Sequence, residues 1–153
     1  MQINRYTESL EYNLEATARV LQEAVTAKFK ELNFGISYDE FIILDEILHE
    51  PGILQIELAK RILKGRAYTG KFLIDLEEKG YIERRTAIKG KRQVIMPNFI
   101  TEEGKKVHKI AVQTVKNFDT DIFGATKEGL QPIMFFLKTL KNDIEEKYSV
   151  KFL

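Results

Sequence analysis

Cysteine and tryptophan are absent from the 153 residues, histidine occurs only twice and proline three times. Without thiols there is no disulfide, no thiolate metal site and no thiol redox trigger. His49 and His108 stand far apart in the sequence, so no histidine cage for a metal is expected. No run of about 18 apolar residues occurs, so no segment is suited to span a bilayer. The polar opening MQINRYTESLEYNLEA does not read as a signal peptide, and a cytoplasmic location without membrane contact is expected. Catalytic constellations are missing as well: there is no HExxH pair of histidines, no Walker-type glycine loop and no cysteine nucleophile. The expectation is a protein that is not an enzyme and needs no cofactor.

What the chain does contain is a soluble, core-forming composition. Hydrophobic residues make up 44% and charged residues 31%, with 10 Phe and 6 Tyr as the aromatic content. That composition and length suit one domain with helical extensions. The net charge is only +1, but the charge is segregated. Between Lys60 and Arg92 there are 11 basic and 4 acidic residues, a window of +7 that leaves −6 on the rest. A basic centre between acidic flanks is the pattern of a local phosphate-binding face.

Periodicity orders the elements. Leu10, Leu14, Ala18, Leu21, Val25, Phe29 and Leu32 recur at spacings of 3 and 4, predicting a helix from Glu8 to Leu32 that Gly35 stops. Ser37-Tyr38-Asp39-Glu40 has the form of a capping box. It opens a second helix with Phe41, Leu44, Ile47 and Leu48 on its apolar face, ended by His49-Glu50-Pro51-Gly52. A short helix over Gln55–Leu63 is broken at Lys64-Gly65, and a fourth runs from Arg66 to Lys79 and closes at Gly80. The period then changes. Tyr81–Arg85 and Gln93–Met96 read as strands around the basic turn Ile88–Arg92, with Pro97-Asn98 ending the pairing. Thr101 is placed to cap a helix over Glu102–Ile122, and a last helix covers Lys127–Tyr148 with its stripe from Leu130 to Ile144. The apolar tail residues Tyr148, Val150, Phe152 and Leu153 extend that stripe. The fold class expected is mainly α with a small β-hairpin wing, a winged helix-turn-helix lobe flanked by N- and C-terminal dimerisation helices.

Particular residues sharpen this. The pieces Ile53-Leu54, Glu57-Leu58-Ala59, Leu76-Glu77-Glu78-Lys79-Gly80-Tyr81-Ile82, Arg84-Arg85 and Ile100-Thr101-Glu102-Glu103-Gly104 fall at spacings that resemble the MarR family of bacterial transcription regulators. The resemblance implies a homodimer whose outer helices, 1–34 and 105–153, pair between subunits. Two lobes, 35–104, would then reach a palindromic double-stranded operator. It also implies a small aromatic or anionic effector bound between the dimer helices and the lobe. Two departures stand out: the wing stretch Lys89-Gly90-Lys91-Arg92 lacks the family's acid, and the recognition helix opens with Arg66-Ala67-Tyr68-Thr69-Gly70-Lys71 rather than with small hydroxyl residues.

Helical geometry assigns roles within this frame. At about 100° per residue, Thr69, Phe72, Leu73 and Leu76 share the core side of the fourth helix. Ala67, Gly70, Lys71 and Ile74 face away, flanked by Arg66 and Tyr68. Arg66 and Lys71 are the candidates for guanine edges, and Tyr68 for a phosphate or a thymine methyl. The side-chain-free Gly70 allows close approach of backbone to a base pair, with relaxed packing as the plainer account. Lys89, Lys91 and Arg92 would touch the minor groove or phosphates from the wing, with Lys60, Arg61 and Lys64 beside the DNA backbone. His49 is expected at a helix end where the dipole favours it, and His108 at the surface. A winged-helix module that binds protein instead of DNA is the second reading, opposed by the basic wing and helix.

Overall fold

The structure is a computed structural model that describes residues 5–90, 92–124 and 127–149. After a single 3₁₀ turn at Tyr6–Glu8 come helices α1 (Leu10–Glu31), α2 (Tyr38–His49), α3 (Gln55–Arg61) and α4 (Arg66–Glu78). Strands β1 (Ile82–Arg84), β2 (Ala87–Lys89), β3 (Gln93–Ile95) and β4 (Asn98–Ile100) form the wing, and helices α5 (Glu102–Phe123) and α6 (Lys127–Tyr148) complete the chain. The order of the helices agrees with the sequence pattern, while the wing has four short strands where two were expected.

The capping box at the head of α2 is present in full. Glu40 N–H donates to Ser37 Oγ at 3.2 Å, and Ser37 N–H donates to Glu40 Oε2 at 2.7 Å. The same Glu40 is 3% exposed and accepts from Lys79 Nζ at 2.6 Å through its other oxygen. One glutamate therefore caps α2 and ties it to the end of α4. Around it Ile43, Leu44, Ile47, Leu58, Leu73 and Leu76 are fully buried, the apolar faces of α2, α3 and α4 meeting in one core with Phe29 of α1 and Ala111 of α5.

The wing differs from a plain hairpin of Tyr81–Arg85 with Gln93–Met96. β1 pairs with β4, matching Ile82 to Ile100 and Arg84 to Asn98, while β2 pairs with β3. Pro97 interrupts the ladder because it has no N–H to donate. Its carbonyl still accepts from Arg85 N–H at 3.1 Å, so pairing resumes at Asn98 instead of ending there. Asn98 is fully buried, and its Nδ2 donates to the Ile53 carbonyl at 2.7 Å. That bond stitches the base of the wing to the turn after α2.

Three further details depart from the sequence reading. Asn33, at φ 51°, ends α1 two residues before Gly35. Leu63 takes the left-handed conformation after α3 at φ 56°, leaving Gly65 at φ −68° as the N-cap of α4. His108 is 7% exposed rather than at the surface: its Nε2 lies 2.7 Å from Asp45 Oδ1, and its ring stacks on Phe41 with centroids 5.6 Å apart. The three lysines around it on α5 marked the exposed side of that helix, whereas position 108 lies on the α2-facing side. His49 does end α2, with Nδ1 2.7 Å from the Asp45 carbonyl.

The outer helices remain uncovered within one chain. On the stripe of α1 only Val25 and Phe29 are buried, while Leu10 and Leu14 are open. On α6, Ile133, Met134, Phe135, Phe136, Leu137 and Ile144 are between 40% and 73% exposed. Among the described residues, no helix is long and apolar enough to cross a membrane.

Candidate nucleic-acid interface

Helix α4 is seated by its buried side. Thr69, Leu73 and Leu76 are fully buried, and the Thr69 hydroxyl donates to the Gly65 carbonyl at 3.0 Å, satisfying its own polar atom. Arg66, Ala67, Tyr68, Lys71 and Ile74 are exposed on the opposite side, as the helical period requires. The helix begins without a side-chain cap because Gly65 offers none, so its first N–H groups stay available at the positive end of the dipole.

Gly70 is placed differently from the sequence expectation. A Cβ there would lie 2.6 Å from Gln55 Nε2. That amide in turn donates to the Arg66 carbonyl at 2.9 Å, so Gly70 makes room for the contact between α3 and α4. Position 70 falls between the open and the buried sides of α4, where a neighbouring helix reaches it.

The cations divide into tied and untied sets. Arg61 pairs with Glu46 at 3.3 Å and with Glu50, which fastens α3 to the end of α2. Those carboxylates raise the Arg61 pKa further against the opposing desolvation. Lys64 lies 3.8 Å from Asp39 and 5.3 Å from the centre of the Tyr68 ring. Tyr68 donates to Asp39 Oδ2 at 2.9 Å and packs edge-on against Phe72. Desolvation, then this hydrogen bond, raises its phenol pKa, so the hydroxyl is a donor throughout the neutral range. Lys60, Arg66, Lys71, Lys89 and Arg92 are exposed and have no ion-pair partner among the described residues. Lys91 lies outside the described residues, as do Val150, Phe152 and Leu153.

At the wing, the turn is shorter than the sequence suggested, because Ile88 and Lys89 belong to β2. Arg85 stacks over Phe99, 4.4 Å from the ring centre, and pairs with Glu83 at 2.8 Å. Among the described residues, the free charges of the wing therefore sit beyond this anchored base, at Lys89 and Arg92.

No family model matches the chain. In sequence it is similar to the HTH-type transcriptional regulator YybA of Bacillus subtilis, 27% identical over 132 residues that cover 86% of this chain and 85% of that protein. In structure it is similar to a putative MarR family transcriptional regulator from Listeria monocytogenes solved with a 26mer DNA, at TM-score 0.74, 22% identity and 92% coverage of both chains. It is also similar to a Mycobacterium tuberculosis MarR family protein solved with salicylic acid, at TM-score 0.67 and 25% identity, covering 86% of this chain and 96% of that one. This is the fold of the MarR family.

Within the MarR fold, several positioning residues carried no signal in the sequence. Asp39, Glu46, Glu50 and Gln55 act on partners 11 to 29 positions away, beyond the reach of local periodicity. Gly104 was visible only as part of a motif. Its role is steric, since a Cβ there would lie 2.1 Å from the Tyr81 carbonyl oxygen. The MarR-type helix α5 starts against the backbone of the wing at that point, with Thr101 accepting from Gly104 N–H and donating to the Gly80 carbonyl.

Proposed function

We propose that the chain is a sequence-specific DNA-binding transcription regulator that works as a homodimer and answers to a small-molecule effector. The observation that carries this reading is the untied cation set. Arg66 and Lys71 on α4, Lys60 on α3, and Lys89 and Arg92 on the wing stand free among the described residues, while Arg61, Lys64 and Arg85 beside them are held by acids or rings. A charged side chain left without a partner on a helix-turn-helix and its wing is suited to phosphates and base edges. The solved relative with DNA supports the same use of the fold.

Arg66 and Lys71 are assigned to base edges, with Ala67 beside them as an apolar contact. Lys89, Arg92 and Lys91 are assigned to the groove or phosphates at the wing, and Lys60 to the backbone. Arg61, Lys64 and Tyr68 act by holding α3 and α4 to α2. Residues 35–104 form the DNA lobe. The open apolar stripes of α1 and α6, in 1–34 and 105–153, are covered by a second copy. Binding acts by occluding or positioning polymerase at the operator.

Selection of bound sequences from a random duplex pool tests this reading. The expected result is an inverted repeat with half-site centres about 10 base pairs apart, one helical turn or a multiple of it. Absence of any enriched sequence would overturn it.

A further inference from the structure

A recess of about 270 Å³ lies between α1, α2 and α5. Leu21, Val25 and Phe118 give it apolar walls, Gln22, Tyr38 and Asp119 are its polar groups, and no lining residue is basic. Asp119 is partly buried and has no hydrogen-bond or ion-pair partner among the described residues. Asp39 and Asp45, on the neighbouring helix, are both engaged. Asp119 also sits in the last turns of α5, at the negative end of the helix dipole, where a carboxylate is disfavoured. Burial raises its carboxyl pKa. The Tyr38 phenol is raised by burial first, then by the charges of Asp39 and Asp119. The recess is therefore apolar in its walls and negative in its field.

We propose that this recess binds a small aromatic cation, its ring against Phe118, Leu21 and Val25 and its ammonium group on Asp119. This deepens the effector-responsive reading above, on which it rests, by naming the chemical class. The volume lies just below the range of about 300–1,000 Å³ typical of drug-sized ligands, which suits one ring with a short charged arm. A carboxylate without a partner in an apolar recess is stabilised by an incoming cation. An acid such as the salicylic acid held by the Mycobacterium tuberculosis relative would meet like charge here. The recess adjoins a separate polar groove at Gln22 and Tyr38, where Arg19, Lys30 and Lys64 stand beside Glu23 and Asp39.

Titration of the ¹⁵N-labelled full chain with phenethylammonium chloride, and separately with sodium salicylate, tests the class. Phenethylammonium is expected to shift the amides of Tyr38, Val115 and Asp119 saturably, and salicylate at the same concentrations to leave them in place. Asp119→Asn should weaken phenethylammonium binding about tenfold, the order expected for a lost hydrogen bond to a charged group, while Asp119→Glu retains binding. Salicylate moving those three amides as strongly, or Asp119→Asn binding phenethylammonium as the wild type does, would overturn the proposal. Duplex binding by the ligand-free protein is read on the same samples. Its loss speaks against the DNA reading alone, and its retention beside a failed titration speaks against the ligand class alone.

Discussion

Tyr68 in the first turn of α4 donates its hydroxyl proton to Asp39 at the head of α2, 2.9 Å away. The bond spans 29 positions of sequence and sits where α4 leaves the core, with Lys64 beside both residues. It ties the first turn of α4, which carries Arg66, to the head of α2. Tyr68→Phe removes the bond and keeps the ring on Phe72. The expected loss of stability is about 0.5–1.5 kcal/mol, the net worth of one such hydrogen bond, read as a lower urea midpoint. Base preference is expected to be unchanged, because the hydroxyl is already engaged by Asp39.

The division of cations makes opposite predictions for neighbours. Arg66→Ala or Lys71→Ala should cost about 1–3 kcal/mol in affinity for a selected site and relax the preference at one base position. Lys89→Ala or Arg92→Ala should weaken selected and random duplex alike. Arg61→Ala should act mainly on the fold. It leaves Glu46 and Glu50 without their partner, so a small drop in melting temperature is expected, as for surface ion pairs generally. Gel-shift affinities and melts on the same variants separate the classes.

Two glycines are predicted to behave differently when given a methyl group. At Gly104 the added Cβ would meet backbone that cannot move aside, the Tyr81 carbonyl oxygen at 2.1 Å. Gly104→Ala should lose about 1–3 kcal/mol by overpacking. At Gly70 the neighbour is the end of the flexible Gln55 side chain. The gain of about 1 kcal/mol from alanine in a helix is there offset by the displaced Gln55 bond, about 0.5–1.5 kcal/mol. Gly70→Ala should therefore melt within a degree or two of the wild type, with ΔΔG near zero by these same magnitudes. A selective fall in its DNA affinity would mark position 70 as a point of close approach to the duplex.

Asp119 sets a pH dependence. Burial raises its carboxyl above the unfolded value of 3.8, so the folded chain binds the proton more tightly than the unfolded chain. Stability on this account falls as pH rises through the window that begins at the unfolded value, and the cost is fully present above the folded one. Asp119→Asn should therefore raise the melting temperature at neutral pH. That gain should vanish in melts below the unfolded value, where both states carry the proton.

Much of this fold was legible because its elements are local. The Ser37/Glu40 box, the 3.6-residue stripes and Thr101 each act within a turn of helix. What sequence could not deliver were the pairings closed by tertiary folding. His108 stands among lysines in the chain but turns its ring onto Phe41 and Asp45. Pro97-Asn98 has the look of a strand end, yet the buried Asn98 amide holds the wing to Ile53. For the candidate interface, counting charge between Lys60 and Arg92 pointed to α3, α4 and the wing. It could not separate Arg61 and Lys64, whose acids come from α2, from Lys71 and Arg66, which have none among the described residues.

The most direct measurement is the affinity of the full chain for duplex DNA as salt is varied. Each neutralised phosphate contributes a slope of about −0.9 in log affinity against log salt. The untied cations Lys60, Arg66, Lys71, Lys89 and Arg92 of each subunit, doubled in a dimer, predict a steep fall, about 10³–10⁵-fold between 50 and 200 mM salt if six to ten phosphates are neutralised. Removing one phosphate-binding cation should make the slope shallower by about one, hence by about two for a dimer carrying Lys89→Ala in both subunits. No binding at 50 mM salt, or binding that does not change with salt, would contradict the assignment of these side chains to DNA.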